Sequence, residues 1–125
     1  MLITVCKSKI HRATITDSNL DYVGSITIDA DLMRLADVVP YEKVQIANIT
    51  NGERLETYAI EGEPGSGTIA LNGAAAHKGK KGDLIIIIAY GQIEKVEAAR
   101  FKPSLVYVDK HNRADKVVAR TTVRV

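Results

Sequence analysis

The chain has 125 residues, 46% hydrophobic and 26% charged, with 17 basic and 15 acidic side chains. That length suits one domain spanning 1–125 around one core, and the composition excludes a disordered chain. A formal charge of +2 carries no electrostatic footprint for nucleic acid, while a small anionic ligand stays compatible with it. In chain order, Leu2 to Cys6 and Ile10 to Thr16 are rich in Ile, Val and Thr and predict two strands or one bent strand, with Lys7-Ser8-Lys9 between them. Asp17-Ser18-Asn19 predicts a turn. Ser25 to Ile28 predicts a strand leading into Asp29, a good helix N-cap, and a short helix with Leu32, Leu35 and Ala36 on one face, ending before Pro40.

Lys43 to Thr50 and Arg54 to Ile60 predict a hairpin about Asn51-Gly52. On the returning strand, alternation puts Arg54, Glu56 and Tyr58 on one face and Leu55, Thr57 and Ala59 on the other. After a loop from Glu61 to Gly67, Thr68 to Leu71 predicts another strand, Asn72 to His77 one helical turn, and Lys78 to Lys81 a solvated basic turn. Leu84 to Tyr90 predicts a buried strand and Glu94 to Arg100 a small helix. Leu105 to Val108 and Lys116 to Val123 predict closing strands around the polar turn Asp109 to Asp115. Many short strands with little helix predict a small closed β-barrel.

One cysteine, Cys6, precludes an internal disulfide and fits a reducing compartment such as the cytoplasm; its expected role is a buried small hydrophobe. Lys7 and Lys9 interrupt the apolar start, so secretion is not expected. The apolar run Leu84 to Tyr90 is far short of the ~20 residues of a spanning helix, which argues against a membrane protein. Gly73 to Lys80 lacks phosphate-loop spacing, with five residues between the glycines and Lys81 where Ser or Thr should stand. His11, His77 and His111 are scattered, so no metal site is expected. No Gly-x-Ser-x-Gly elbow surrounds Ser25, so a hydrolase triad has no support.

Gly24-Ser25 interrupts the alternation of Tyr22-Val23-Gly24-Ser25-Ile26-Thr27-Ile28. Glycine within a strand ordinarily marks a bulge, a bend or a close backbone approach. A second chemistry is open to this pair. A serine after glycine can attack the preceding carbonyl when the peptide is strained, moving the acyl group from nitrogen to oxygen. Elimination and hydrolysis would leave a pyruvoyl group at residue 25. Gly-Ser alone does not select that outcome.

Lys9-Ile10-His11-Arg12, Tyr22-Val23-Gly24-Ser25, the stretch Asn51-Gly52-Glu53-Arg54-Leu55-Glu56-Thr57-Tyr58-Ala59-Ile60, and Asn72-Gly73-Ala74-Ala75-Ala76-His77 together resemble bacterial aspartate 1-decarboxylases. The resemblance runs nearly end to end and is weakest at Lys78 to Lys81 and from about Gln92. It implies a six-stranded double-psi β-barrel with short helices, assembled as a homotetramer with active sites between subunits. It implies cleavage between Gly24 and Ser25 into a 1–24 β chain and a 25–125 α chain, whose pyruvoyl group forms a Schiff base with L-aspartate in place of pyridoxal phosphate. Need for a maturation protein is left open. The product would be β-alanine, for pantothenate and coenzyme A synthesis.

By the same resemblance, Tyr58 is the proton donor, Thr57 and Asn72 serve self-processing, Thr57 also binds substrate, and the Gly73, Ala74 and Ala75 backbone holds substrate. Tyr22 would position the cleavage loop. A cation should grip the carboxylate that stays, because pairing the departing one stabilises the ground state more than the transition state. Arg54 is the first candidate for that grip, by its bidentate fork, and Lys9 the second, with His11 as an auxiliary. Read from residues alone, the chain is a small β-rich domain with a candidate anion site. The rival classes are a non-enzymatic double-psi or swapped-hairpin barrel that binds DNA, and an uncleaved barrel that binds a small anion.

Overall fold

The computed structural model describes residues 1–118. Strand β1 is one continuous run, Leu2–Thr14, paired antiparallel with β7 (Leu84–Glu94). Its bends are two register shifts, between Cys6 and Ser8 and between Ile10 and Ala13, the second containing Arg12 at φ 62°. Bulges of this kind let a long strand curl around a core. They also leave Cys6 half-buried, not fully buried as expected, with its thiol on the Ser8 carbonyl.

Asp17–Asn19 is a short strand, β2, not the predicted turn. It pairs in parallel with β6 (Ile69–Asn72), and Ser18 Oγ donates to the Gly79 carbonyl at 2.9 Å. The turn comes next, where Asn19 Oδ1 accepts from the Asp21 N–H. β3 (Ser25–Asp29) lies between β6, antiparallel, and β5 (Arg54–Gly62), parallel. Helix α1 (Ala30–Leu35) buries Leu32 and Met33, with Ala36 just beyond it. Asp29 caps it and does more. Its carboxylate accepts from the N–H groups of Asp31, Gly65 and Gly67 at 2.8, 3.0 and 2.8 Å, tying the loop before β6 to the helix start.

The Asn51-Gly52 hairpin joins β4 (Lys43–Asn48) to β5, with Gly52 at φ 79° and the Asn48 N–H bonded to the Glu53 carbonyl. β7 extends past Tyr90 to Glu94, so the expected helix from Glu94 is a 3-10 turn, Lys95–Arg100. β8 (Ser104–Val108) pairs in parallel with β1, and β9 (Ala114–Val118) pairs with β8. Of the predicted strand Lys116 to Val123, residues 119–123 lie outside the described residues.

The hydrogen-bonded order is β2-β6-β3-β5-β4-β7-β1-β8-β9, nine strands in an open series among the described residues, rather than six in a closed ring. The protein is mainly β. Ile10, Ile15, Ile26, Ile28, Ile46, Ile69, Leu71, Ile85 and Ile87 are almost fully buried in one core, with Val106 of β8 packed in. That core occupies one face of β3 and β5, and the opposite face is left for chemistry. No helix among the described residues is long and apolar enough to cross a membrane.

Candidate active site

Period-two geometry sends Ile26 and Ile28 into the core and Ser25 and Thr27 to the other face of β3. On the neighbouring strands Tyr58, Ile60, Ala70 and Asn72 share that face. With Asp17, Asp21, Tyr22, Val23 and Tyr41 they line a cavity of about 740 Å³. Ser25 is 2% exposed, and an unpaired hydroxyl there would be costly. It is satisfied. Asn72 Nδ2 donates to Ser25 Oγ at 3.0 Å and to Thr27 Oγ1 at 2.9 Å, and Ser25 Oγ donates to the Val23 carbonyl at 3.4 Å. Asn72 is itself buried, so one amide fixes the serine rotamer from below.

Gly73 supplies the close backbone approach that Gly24 was expected to mark. Gly73 has φ 62°, and a Cβ there would stand 2.6 Å from the Gly24 nitrogen and 2.6 Å from the Tyr22 carbonyl oxygen. Gly24 has room, since its own Cβ would meet nothing nearer than the Ala74 nitrogen and Asn72 oxygen at 3.9 Å. The segment Asn72-Gly73-Ala74 is thus laid against the Gly24 backbone. Ala75 turns inward and is buried in the core.

Tyr22, Gly24, Ser25, Tyr58, Asn72, Gly73 and Ala74 therefore meet at one place. Others among the expected site residues do not. Thr57 shares the core-side face with Ala59 and borders a second groove with Lys43, Glu56 and Tyr58 rather than the Ser25 cavity itself. Arg54 shares Tyr58's face but stands four residues away, roughly 13 Å along the strand. Lys9 and His11 are on β1, opposite Ile88 of β7 and Tyr107 of β8 respectively. The His11 ring meets Tyr107 edge-on at 5.5 Å, and partial burial, then the charges of Arg12 and Lys9, hold the imidazole pKa below its ordinary value.

Thr27, Ile60, Ala70, Tyr41, Asp17 and Asp21 line the cavity without having been predicted. Thr27 could have been found, because i and i+2 on a strand share a face. No lysine or arginine lines the cavity among the described residues. Nor does any group of three or more His, Cys, Asp or Glu there come together to hold a metal.

The sequence model of the family described as aspartate decarboxylase matches residues 1–115. The chain is similar to the aspartate 1-decarboxylase of Myxococcus xanthus, 61% identical over 86% of this chain and 82% of the relative. It is 60% identical to that of Acetivibrio thermocellus over 90% of each chain. Against that of Leptospira biflexa serovar Patoc the identity is 56% over 93% of this chain and 99% of the relative. With a buried, amide-held serine after glycine and a match over nearly its whole length, the chain belongs to the aspartate decarboxylase family.

Proposed function

We propose that the chain decarboxylates L-aspartate to β-alanine and carbon dioxide, for pantothenate and coenzyme A synthesis in the cytoplasm, after cutting itself between Gly24 and Ser25. The observation that carries this reading is the Ser25 hydroxyl, buried and gripped by Asn72 beside a Gly24 backbone on which Gly73 rests. Family membership disfavours a DNA-binding barrel.

In the proposed cleavage Ser25 Oγ attacks the Gly24 carbonyl carbon, the peptide C–N bond breaks, and an ester and a free amine result. Loss of the Ser25 α-proton expels Gly24 as a carboxylate. Water then releases ammonia and leaves a pyruvoyl group on the 25–125 chain, with 1–24 as the second product. Asn72 holds the serine oxygen, and the oxyanion at Gly24 needs donors nearby. Thr57 stands on β5 two residues before Ala59, the partner of Ile26, and we assign it the self-processing role that the family resemblance implies. The Ala74 nitrogen, 3.9 Å from where a Gly24 Cβ would stand, is the backbone amide we assign as a donor.

The residues fit such a group, since the cavity opens directly onto Ser25. Once formed, the pyruvoyl group supplies the electron sink that decarboxylation of an amino acid requires. Tyr58, on the cavity wall, delivers its phenolic proton to the carbon that has lost its carboxylate. Arg54 and Lys9 grip the carboxylate that stays. Both lie away from the Ser25 cavity of their own chain, which supports sites shared between subunits of a homotetramer, with His11 in the same incoming group. The double-psi barrel is the fold we infer. Ile15 and Thr16 alone separate β1 from β2, and their backbone bonds to Asp83, Gly82 and Ile69 draw the two ends of the β2-to-β1 series together.

Intact mass under denaturing conditions, followed by an aspartate turnover assay, tests the proposal. The expected result is a 1–24 fragment and a 25–125 fragment lighter by one ammonia than a serine-started chain, with β-alanine formed. A chain that stays uncut after prolonged warm incubation and releases no carbon dioxide from aspartate refutes it.

A further inference from the structure

Tyr41 follows Pro40 in the connection between α1 and β4 and has a left-handed backbone, φ 69°. A residue with a Cβ pays for that conformation and keeps it only where its surroundings over-determine it. Here they do. The Tyr41 N–H donates to the Ala59 carbonyl at 2.7 Å, the Ala59 N–H to the Glu42 carbonyl at 3.0 Å, and the Glu42 N–H to the Val39 carbonyl at 3.1 Å. The Glu42 carboxylate accepts from the Val39 N–H at 3.1 Å and from Lys7 Nζ at 2.6 Å. Burial within the chain does not explain the strain, because Tyr41 is 77% exposed.

What the turn achieves is placement. The backbone bonds grip β5 at Ala59, next to Tyr58, and the Tyr41 ring centroid lies 6.0 Å from that of Tyr58 with the planes tilted by 34°. Both rings line the cavity that contains Ser25. We propose that Tyr41 is a positioning residue for the decarboxylation, its strained turn holding an aromatic wall against Tyr58 so that the phenol stays directed into the cavity. This rests on the reading of Tyr58 as proton donor. Tyr41 touches no reacting atom; it narrows the range of ring positions from which Tyr58 can donate. Proton delivery, not substrate binding, is what its removal impairs.

Tyr41→Gly relieves the backbone strain while deleting the ring, so stability and activity should move apart. The expected enzyme melts no lower than wild type, keeps its KM within about twofold and loses about tenfold in kcat per cleaved chain, part of the 10²–10⁴-fold that a placed general acid supplies. Tyr41→Phe keeps the ring and should restore kcat. In a Tyr58→Phe background the Tyr41→Gly change should cost nothing further. A readout free of turnover is the NMR spectrum of the uncleaved Ser25→Ala chain with ¹³C-labelled tyrosine, which has five such rings. The Tyr58 signal, assigned by its loss in Tyr58→Phe, should shift on Tyr41→Gly. Wild-type turnover in Tyr58→Phe overturns the proton-donor reading and this proposal together. A crippled Tyr58→Phe enzyme in which Tyr41→Gly still costs the same factor, or an unmoved Tyr58 signal, overturns the proposal alone.

Discussion

Gly73→Ala is the substitution for which the geometry is least forgiving. The added Cβ would lie 2.6 Å from the Gly24 nitrogen, 2.6 Å from the Tyr22 oxygen and 2.7 Å from Gly24 Cα. All three are backbone atoms, so no side chain can swing aside. Recovering ordinary contact at 3.4 Å demands a retreat of about 0.8 Å, borne by the cleavage loop or by residue 73. Alanine in the left-handed region adds about 1–2 kcal/mol, and overpacking about 1–3 kcal/mol, so the native state should lose about 2–5 kcal/mol. The kinetic effect is sharper still. A reacting carbonyl displaced by nearly 1 Å loses about 10²-fold in rate. Appearance of the 1–24 fragment, followed by intact mass at a fixed warm temperature with a melting curve alongside, measures both. A folded Gly73→Ala chain that cleaves at the wild-type rate refutes the reasoning. Gly24→Ala is the matched contrast, because its Cβ meets nothing nearer than 3.9 Å, and it should cleave at close to the wild-type rate.

Asn72→Ala removes the donor to a buried hydroxyl and should cost about 1–3 kcal/mol in stability and slow cleavage, read from the uncut fraction over time; unchanged kinetics would remove Asn72 from processing. Burial raises the Asp29 pKa, but the N–H groups of Gly67, Asp31 and Gly65, with the Arg113 charge, outweigh it and hold the carboxyl below its ordinary 3.8. Its stabilisation is therefore complete above the unfolded value and fades as pH falls below about 4 toward the folded one. Asp29→Asn should lower the urea midpoint at pH 7 and lose that difference in acid; an equal deficit at both pH values would contradict this. Arg54→Ala should raise KM for aspartate about 10–100-fold, whereas near-normal turnover at low aspartate would exclude it as the carboxylate grip. Co-refolding Arg54→Ala with Ser25→Ala should restore part of the activity if sites are shared between subunits, and a dead mixture would deny the sharing.

The strands that position the site were legible where the pattern is local. Alternation around Ser25 and around Tyr58, the Asn51-Gly52 turn and the Asp29 cap all act over a few residues, and each corresponds to a feature of the fold. What escaped depends on partners distant in sequence. Asp17-Ser18-Asn19 has the side chains of a turn, but parallel pairing with Ala70 to Asn72 overrides them. Gly24 drew attention as the glycine that permits a close approach, yet the missing Cβ that matters belongs to Gly73, from another strand end. Tyr41 was invisible because nothing in Pro40-Tyr41-Glu42 announces that Ala59 will bind both sides of it.

The charge around the cavity bears on how the site is completed. Aspartate carries two carboxylates and one ammonium, whereas the cavity wall offers Asp17, Asp21 and three tyrosines and, among the described residues, no cation. Like charges at about 4 Å repel by about 4 kcal/mol at an effective dielectric of 20, so this wall alone would disfavour the substrate it is meant to hold. The proposed self-cleavage would place no such demand on this wall, since it needs a gripped serine and oxyanion donors but no binding of an external anion. The two tasks separate on that basis. On the proposed reading one chain would carry Ser25 and Asn72 for cutting itself, and Tyr58 for the later proton, while the cations Lys9 and Arg54 lie away from that cavity. Leu20, Tyr22, Val23 and Tyr41, all well exposed on or near the cleavage loop and Tyr58, form an apolar rim with no cover in a single chain. A neighbouring copy that covered the rim and brought its own Lys9 and Arg54 would exclude water and supply the missing positive charge in one step. Assembly would then create the substrate site from surfaces that, in the separate chain, are each incomplete.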